Sequence, residues 1–213
     1  MSDEKFPRPV KFTPGRFAAF VGSEDPANIN RIAHETAVAL LARVRTDPDP
    51  EVVGRLVRYT DEHGIDEIAE LWSQAAARSL PGALWRLYLL RTLITQDPEG
   101  IAFAFRRGTE VSTTIDEVVA GAAAPTGPSE VVELADRILH GVFAGDFATA
   151  LDRAAAFCRV CAAGQASLAD DADATDAAHP GRSGALTTRA LRLTDLADDL
   201  AACGRLERRG SLD

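Results

Sequence analysis

The chain has 213 residues, of which 46% are hydrophobic and 26% are charged, values that are ordinary for a globular protein with one sizeable core. Its formal charge of −9 disfavours nucleic-acid binding, because that activity needs a concentration of cations to replace the phosphate counterions. No apolar run approaches the roughly 20 residues of a membrane span, and the acidic N-terminus lacks a signal-peptide h-region, so we expect a cytoplasmic protein without a membrane span.

Aromatic residues are concentrated near the N-terminus. Residues 5–20 contain four of the nine phenylalanines, Phe6 and Phe12 among them, and three of the eleven prolines. The prolines favour an extended path for the chain. We predict that residues 1–22 form an aromatic strap, which either fills a groove between helices or becomes ordered on a partner protein.

Three aspartate–proline pairs mark helix starts, because the aspartate caps the helix and the proline suits its first position. The pair at Asp25 precedes apolar residues at helical spacing and predicts a helix over 26–45. The pair at Asp49 precedes a predicted helix over 51–63, and a glycine turn leads to another over 65–78. The pair at Asp97 begins a further helix towards residue 107.

The most apolar window of the chain is residues 80–94. Pro81 suits the first turn of a helix there, and the aspartate–proline pair at Asp97 ends it. Apolar side chains cover most of the circumference of this helix, so we predict that other helices surround it and that it is the centre of an all-helical domain.

Two stretches resemble helical repeat families. The order helix, glycine turn, helix, proline turn, helix over residues 51–95 resembles the units of HEAT-type α-solenoids. Gly145, Phe147 and Ala150 occupy the glycine, aromatic and small-residue positions of a tetratricopeptide repeat, so residues 138–154 are similar to half of that signature. The second resemblance implies a helix-turn-helix geometry.

A stretch rich in glycine, alanine and proline, residues 122–128, predicts a linker between a helical core at 23–121 and a C-terminal helical unit at 129–213. Within the second unit, alanines mixed with aspartates predict a mobile acidic loop over 164–184. A leucine stripe from 186 to 206 predicts a last helix, which packs on the helices of 129–161, on a partner helix or on a second copy.

These elements predict an all-α fold of about eight or nine helices with an extended aromatic strap at its N-terminus. Short connections between the helices favour antiparallel neighbours. We therefore expect an irregular bundle or a short solenoid of antiparallel helical hairpins.

Cys158 and Cys161 form the motif most suggestive of redox or metal chemistry. They lie inside a predicted helix, whereas a reactive pair begins a helix after a strand, where the helix N-terminus lowers the thiol pKa. Zinc would need two more ligands, from Cys203 with His140 or His179. Thiols packed in the core are the favoured interpretation.

Two further clusters of polar residues contain common metal-ligand types. Five carboxylates and His63 lie between residues 59 and 70, but their spacing is not that of an EF-hand or a di-iron bundle, so we interpret them as a solvated helix face. His34 and Glu35 begin like a zincin helix, but Val38 stands where the second histidine is needed, which excludes that motif.

The chain has no phosphate loop, no dinucleotide glycine fingerprint and no nucleophile elbow, so we predict no cofactor and no metal. Our leading hypothesis is a non-catalytic helical interaction or scaffold protein that binds a protein partner or a second copy of itself. The alternative is an enzyme or small-ligand-binding bundle whose site is assembled from residues distant in sequence. The candidate partner-binding residues are the strap phenylalanines and four arginines suited to carboxylates: Phe6, Phe12, Arg86, Arg91, Arg106 and Arg107.

Overall fold

The computed structural model describes residues 26–46, 71–124, 126–144, 146–175 and 180–213. They form seven helices with defined bounds: α1 (Pro26–Thr46), α2 (Leu80–Gln96), α3 (Pro98–Val111), α4 (Asp116–Ala120), α5 (Pro128–Ala144), α6 (Phe147–Thr175) and α7 (Pro180–Arg208). Residues 71–73 are helical as well, and the described ranges contain no strand. The prediction of an all-α fold of about eight helices is confirmed.

Several predicted features lie outside the described residues. They include the aromatic strap with Phe6 and Phe12, the predicted helix at 51–63, and the carboxylate cluster between 59 and 70. None of the helices that the structure describes is long and apolar enough to cross a membrane.

The central element of the bundle is α6, against which α3, α4, α5 and α7 all pack. More than half of its 29 residues are buried, and half of those are alanines. Phe157 of α6 stacks on Phe105 of α3 with ring centroids 5.1 Å apart. The most extensively packed of the described helices is therefore α6 and not the helix predicted as the centre over residues 80–94, because small side chains let the neighbouring helices approach α6 closely.

The predicted apolar stripe is nevertheless buried, and α2 packs mainly against α1, α5 and α7, with smaller contacts to α3 and α6. The stripe includes Leu84, Leu87 and Ile94. Leu89 and Leu93, in contrast, are 41% and 38% exposed. The described helices thus cover one side of α2 and leave part of the other side open.

Two glycines bring the backbones of α3 and α6 into contact. A Cβ atom on Gly164 would lie 1.9 Å from the carbonyl oxygen of Ala104, and one on Gly108 would lie 1.9 Å from that of Val160. Only glycine permits this approach, because any other residue would place a carbon atom inside a carbonyl oxygen. The contact joins a helix of the predicted core to a helix of the predicted C-terminal unit.

Helix replaces loop over most of residues 164–184. α6 continues to Thr175 and α7 begins at Pro180, so the loop predicted there is wrong for the described residues on both sides of 176–179. The reason is an amphipathic pattern in which Ala169 and Ala172 are buried while the aspartates at 170, 171 and 173 are exposed.

The last helix, α7, packs along α6 of the same chain and also touches α2. Its buried residues include most of the predicted stripe: Ala190, Leu193, Ala197, Leu200 and Cys203. Of the three predicted alternatives, packing on the helices of 129–161, on a partner helix or on a second copy, the structure shows the first.

Candidate functional site

An open groove lies over α6, with α3 forming one wall and α7 the other. It has two adjoining parts, with volumes of about 260 and 190 Å³, which share Phe103, Leu168 and Asp171. We refer to both parts together as the arginine groove. Its remaining lining residues are Gly100, Arg106, Arg107, Glu110, Gln165, Ala172, Thr175, Arg182, Leu186 and Arg189.

Helical spacing produces these walls, because residues three or four apart lie on the same face of a helix. On α3 the lining positions run 100, 103, 106 and 107, and 110, whereas Ile101 and Phe105 point into the core. On α6 they run 165, 168, 171 and 172, and 175, and on α7 they run 182, 186 and 189. Each helix therefore presents one continuous row to the groove.

The apolar part of the groove centres on Phe103, which is 52% exposed although it is a large aromatic residue. Leu168 of α6 and Leu186 of α7 line the groove beside it and are half-buried. An aromatic side chain that is exposed in a concave site offers a large area for an incoming apolar group.

Two arginines of α3 are held in place by neighbouring helices and loops. Arg107 donates from Nε to Ser167 Oγ at 3.0 Å and from Nη2 to Asp171 Oδ2 at 2.9 Å. Arg106 donates from Nη1 to the carbonyl oxygen of Thr126 at 2.7 Å. These hydrogen bonds fix both guanidinium groups at the rim and leave each with further N–H donors.

The α7 wall contributes Arg182 and Arg189, so four arginines and two carboxylates line the groove. Arg189 is exposed and forms no ion pair with the described residues. Both carboxylates, Glu110 and Asp171, are already engaged by Arg107. The groove is therefore locally cationic on a chain whose formal charge is −9.

Gln165 is the one buried polar residue of the described chain, with 5% of its surface exposed. It lines the larger part of the groove, and its side-chain oxygen Oε1 has no hydrogen-bond partner among the described residues. An unmade hydrogen bond at a buried acceptor costs about 1–3 kcal/mol, so an occupant that supplied a donor would recover that energy.

The other two predicted arginines connect helices rather than line the groove. Arg86 of α2 binds Asp199 of α7, with Nε 3.0 Å from Oδ2, and its side chain is 19% exposed. Arg91 of α2 binds Asp136 of α5, with Nε 3.2 Å from Oδ1, and its side chain is 12% exposed. Of the four arginines predicted to bind a partner, the structure brings Arg106 and Arg107 together in one groove.

All three cysteines are buried free thiols. The interpretation of Cys158 and Cys161 as thiols packed in the core is therefore confirmed. Burial raises the pKa of Cys158 to about 12 and raises the pKa of Cys161 well above its ordinary value. Burial also raises the pKa of Cys203 to about 11, and its thiol donates to the carbonyl oxygen of Ala77. Among the residues that the structure describes, no group of three His, Cys, Asp or Glu side chains could hold a metal ion.

Sequence reasoning identified Arg106 and Arg107 but missed other residues of the groove, of which five are the most informative: Phe103, Gln165, Leu168, Arg182 and Arg189. Four of them lie in or near the stretch predicted as an acidic loop. The available signal was the spacing of 165, 168 and 172 at helical intervals, which indicates a continued helix with a polar amide on its inner face.

Comparison with known proteins gives no match: neither a protein-family model, nor a curated protein, nor a solved structure matches the chain. Function therefore has to be inferred from the groove.

Proposed function

We propose that the chain is a non-catalytic helical interaction protein whose arginine groove binds an acidic segment of a partner protein. The observation that carries this proposal is the exposed ring of Phe103 between the arginine rows of α3 and α7. Aromatic and arginine side chains are enriched among the residues that dominate binding energy at protein interfaces.

The apolar centre of the groove defines one part of the occupant. Phe103, Leu168 and Leu186 provide a concave apolar surface that an apolar side chain of the segment would cover. Removing this surface from water would favour binding, because apolar burial contributes about 25 cal/mol per Å².

The charges of the groove define the other part. Arg189 has no ion-pair partner among the described residues, and Arg106 keeps N–H donors beyond its bond to Thr126. Carboxylates on either side of the apolar anchor would pair with these guanidinium groups. Such pairs favour acidic segments over neutral ones and make binding weaker at high salt.

The chemistry of the lining residues favours binding over catalysis. Among the described residues that line the groove there is no histidine, cysteine or serine, and both carboxylates are held by Arg107. An enzyme or small-ligand site would more commonly be an enclosed pocket with a free acid, base or nucleophile.

The proposal is tested by panning a library of random dodecapeptides displayed on phage against the purified full chain. We expect the enriched peptides to be net negative and to contain a large apolar residue. Calorimetry with one such peptide should then show that Arg189→Glu and Phe103→Asp each weaken binding about tenfold or more.

Two matched variants control for charge and hydrophobicity outside the groove. Arg192→Glu makes the same charge change on α7 at an exposed position, and Val118→Asp introduces an aspartate at a residue that is 81% exposed. Both should bind like the wild type. Enrichment of basic peptides, or equal losses in groove and control variants, would overturn the proposal, as would a dimer in light scattering that Arg189→Glu dissociates.

A further inference from the structure

Gln165 differs from the other residues of the groove because its side chain is buried with a hydrogen-bond acceptor that has no partner among the described residues. It is 5% exposed, and its Oε1 atom accepts no hydrogen bond from a described residue. Around it on α6, Cys161, Ala162 and Ala169 are buried apolar residues. An amide at this position therefore interrupts an otherwise apolar inner face.

Packing alone does not account for a glutamine here. A methionine has nearly the same length and would fill the space without leaving an acceptor unpaired. We therefore expect the free protein to be less stable with the amide than with such a side chain, which is the pattern found where binding rather than folding selects a residue.

We propose that Gln165 is a specificity-determining residue that accepts a hydrogen bond from an N–H or O–H group of the segment in the arginine groove. This inference rests on the proposed function. The last torsion of a glutamine side chain is broad, so the amide turns its oxygen towards an occupant without any movement of α6. Phe103 and Arg189 select apolar and acidic segments, and Gln165 selects among those segments the ones with a donor at the matching position.

The experiment uses Gln165→Met in the full chain and the acidic peptide obtained by panning. We expect an unchanged or higher melting temperature, because an unpaired acceptor is removed, together with an affinity about fivefold to tenfold weaker, because the peptide donor is left without a partner. Gln96→Met, a change of the same kind at an exposed position of α2, should alter neither quantity. Gln165→Ala repeats the measurement without adding bulk, should the methionine variant fail to fold.

A double-mutant cycle then identifies the donor. Peptides that are N-methylated at one backbone amide, or that lack one polar side chain, are measured against the wild type and Gln165→Met. At one peptide position, the modification should weaken binding to the wild type but leave binding to Gln165→Met unchanged. Absence of such a position, or wild-type affinity in Gln165→Met while Arg189→Glu still weakens binding, overturns this inference and leaves the groove proposal standing. If no groove variant changes binding, both proposals fall.

Discussion

The ion pair between Asp116 and Arg159 fastens the short helix α4 to α6. Arg159 donates from Nε to Oδ2 at 3.0 Å and from Nη2 to Oδ1 at 2.6 Å. These hydrogen bonds lower the pKa of Asp116 below 3.8; partial burial opposes them, and a hydrogen bond from Thr114 adds to them. The folded state therefore binds a proton at Asp116 less readily than the unfolded state does.

The stabilisation from this pair should depend on pH. Because the folded pKa of Asp116 is depressed, the stabilisation is fully present above the unfolded value of 3.8 and is lost as the pH falls through the folded value. Asp116→Asn should lower the free energy of unfolding by about 1 kcal/mol at neutral pH, since the pair is partly exposed, and by less in acid. Urea unfolding at pH 7 and pH 3 measures both differences.

A matched control is Asp170→Asn, which changes an exposed aspartate of α6 that forms no ion pair with the described residues. It should leave the free energy of unfolding nearly unchanged at both pH values. If Asp116→Asn lowered the free energy of unfolding by the same amount at pH 7 and pH 3, the ion pair with Arg159 would not be the source of the stabilisation.

The residues that could be read from the sequence are those whose role depends on near neighbours. Cys158 and Cys161 were assigned to the core because they fall inside a helix, and both are buried there. Gln165 could not be assigned in this way, because its unpaired oxygen depends on how α3 and α7 flank α6. The ion pair of Arg86 could not be predicted for the same reason, since its partner Asp199 lies 113 residues away.

At the scale of elements, the crossing of α3 over α6 depends on Gly108 and Gly164. Gly164→Ala would place a Cβ atom 1.9 Å from the Ala104 carbonyl oxygen and 2.9 Å from the Gly108 nitrogen. Backbone atoms cannot move aside as a side chain does, so the helices must separate. We expect the free energy of unfolding to fall by about 1–3 kcal/mol, even though alanine favours helix by about 1 kcal/mol over glycine. Urea unfolding measures the loss.

The control for this substitution is Gly184→Ala on α7, where no atom lies within 4 Å of the added carbon. Helix propensity alone acts at that position, so the variant should be more stable than the wild type by up to about 1 kcal/mol. Destabilisation by both substitutions, or by neither, would show that the close approach is not what distinguishes Gly164.

Helix bounds were predictable where the start signal is local. The side chain of Asp97 accepts a hydrogen bond from the Gly100 amide at 2.9 Å, and Pro98 occupies the first position of α3, as the aspartate–proline pair indicates. Residues 164–175 were mispredicted because their aspartates, which are poor helix formers, outweighed the helix preference of the alanines in the prediction. Their helix is stabilised by packing against α7, which a local pattern does not reveal.

At the scale of the molecule, the position of α6 is the feature that the sequence concealed. Hydropathy favours the leucine-rich α2 as the centre, yet alanines allow α3, α4, α5 and α7 to pack closely along α6. The arginine groove follows from that arrangement, because its floor belongs to α6 and its walls to helices on either side of it. No motif marks such a site, since its residues span positions 100 to 189.

Because of this arrangement, we expect the helical core at 23–121 and the C-terminal unit at 129–213 to unfold together. The Gly108–Gly164 contact and the stacked rings of Phe105 and Phe157 both cross the predicted boundary at 122–128. Both tryptophans of the chain, Trp72 and Trp85, lie before that boundary, whereas the two longest of the described helices lie after it. Tryptophan fluorescence therefore reports on the part before the boundary, whereas far-ultraviolet circular dichroism reports on helices of both parts. If the two parts unfold together, the two urea unfolding curves should coincide.

Gly164→Ala sharpens this prediction because it weakens the contact between the two parts directly. In a cooperative molecule it shifts the fluorescence and dichroism midpoints to lower urea by the same amount, although no tryptophan lies near the substitution in sequence. Independent units would behave differently: the dichroism midpoint would move while the fluorescence midpoint stayed in place. That separation would establish the linker as a true domain boundary and would contradict the single core built around α6.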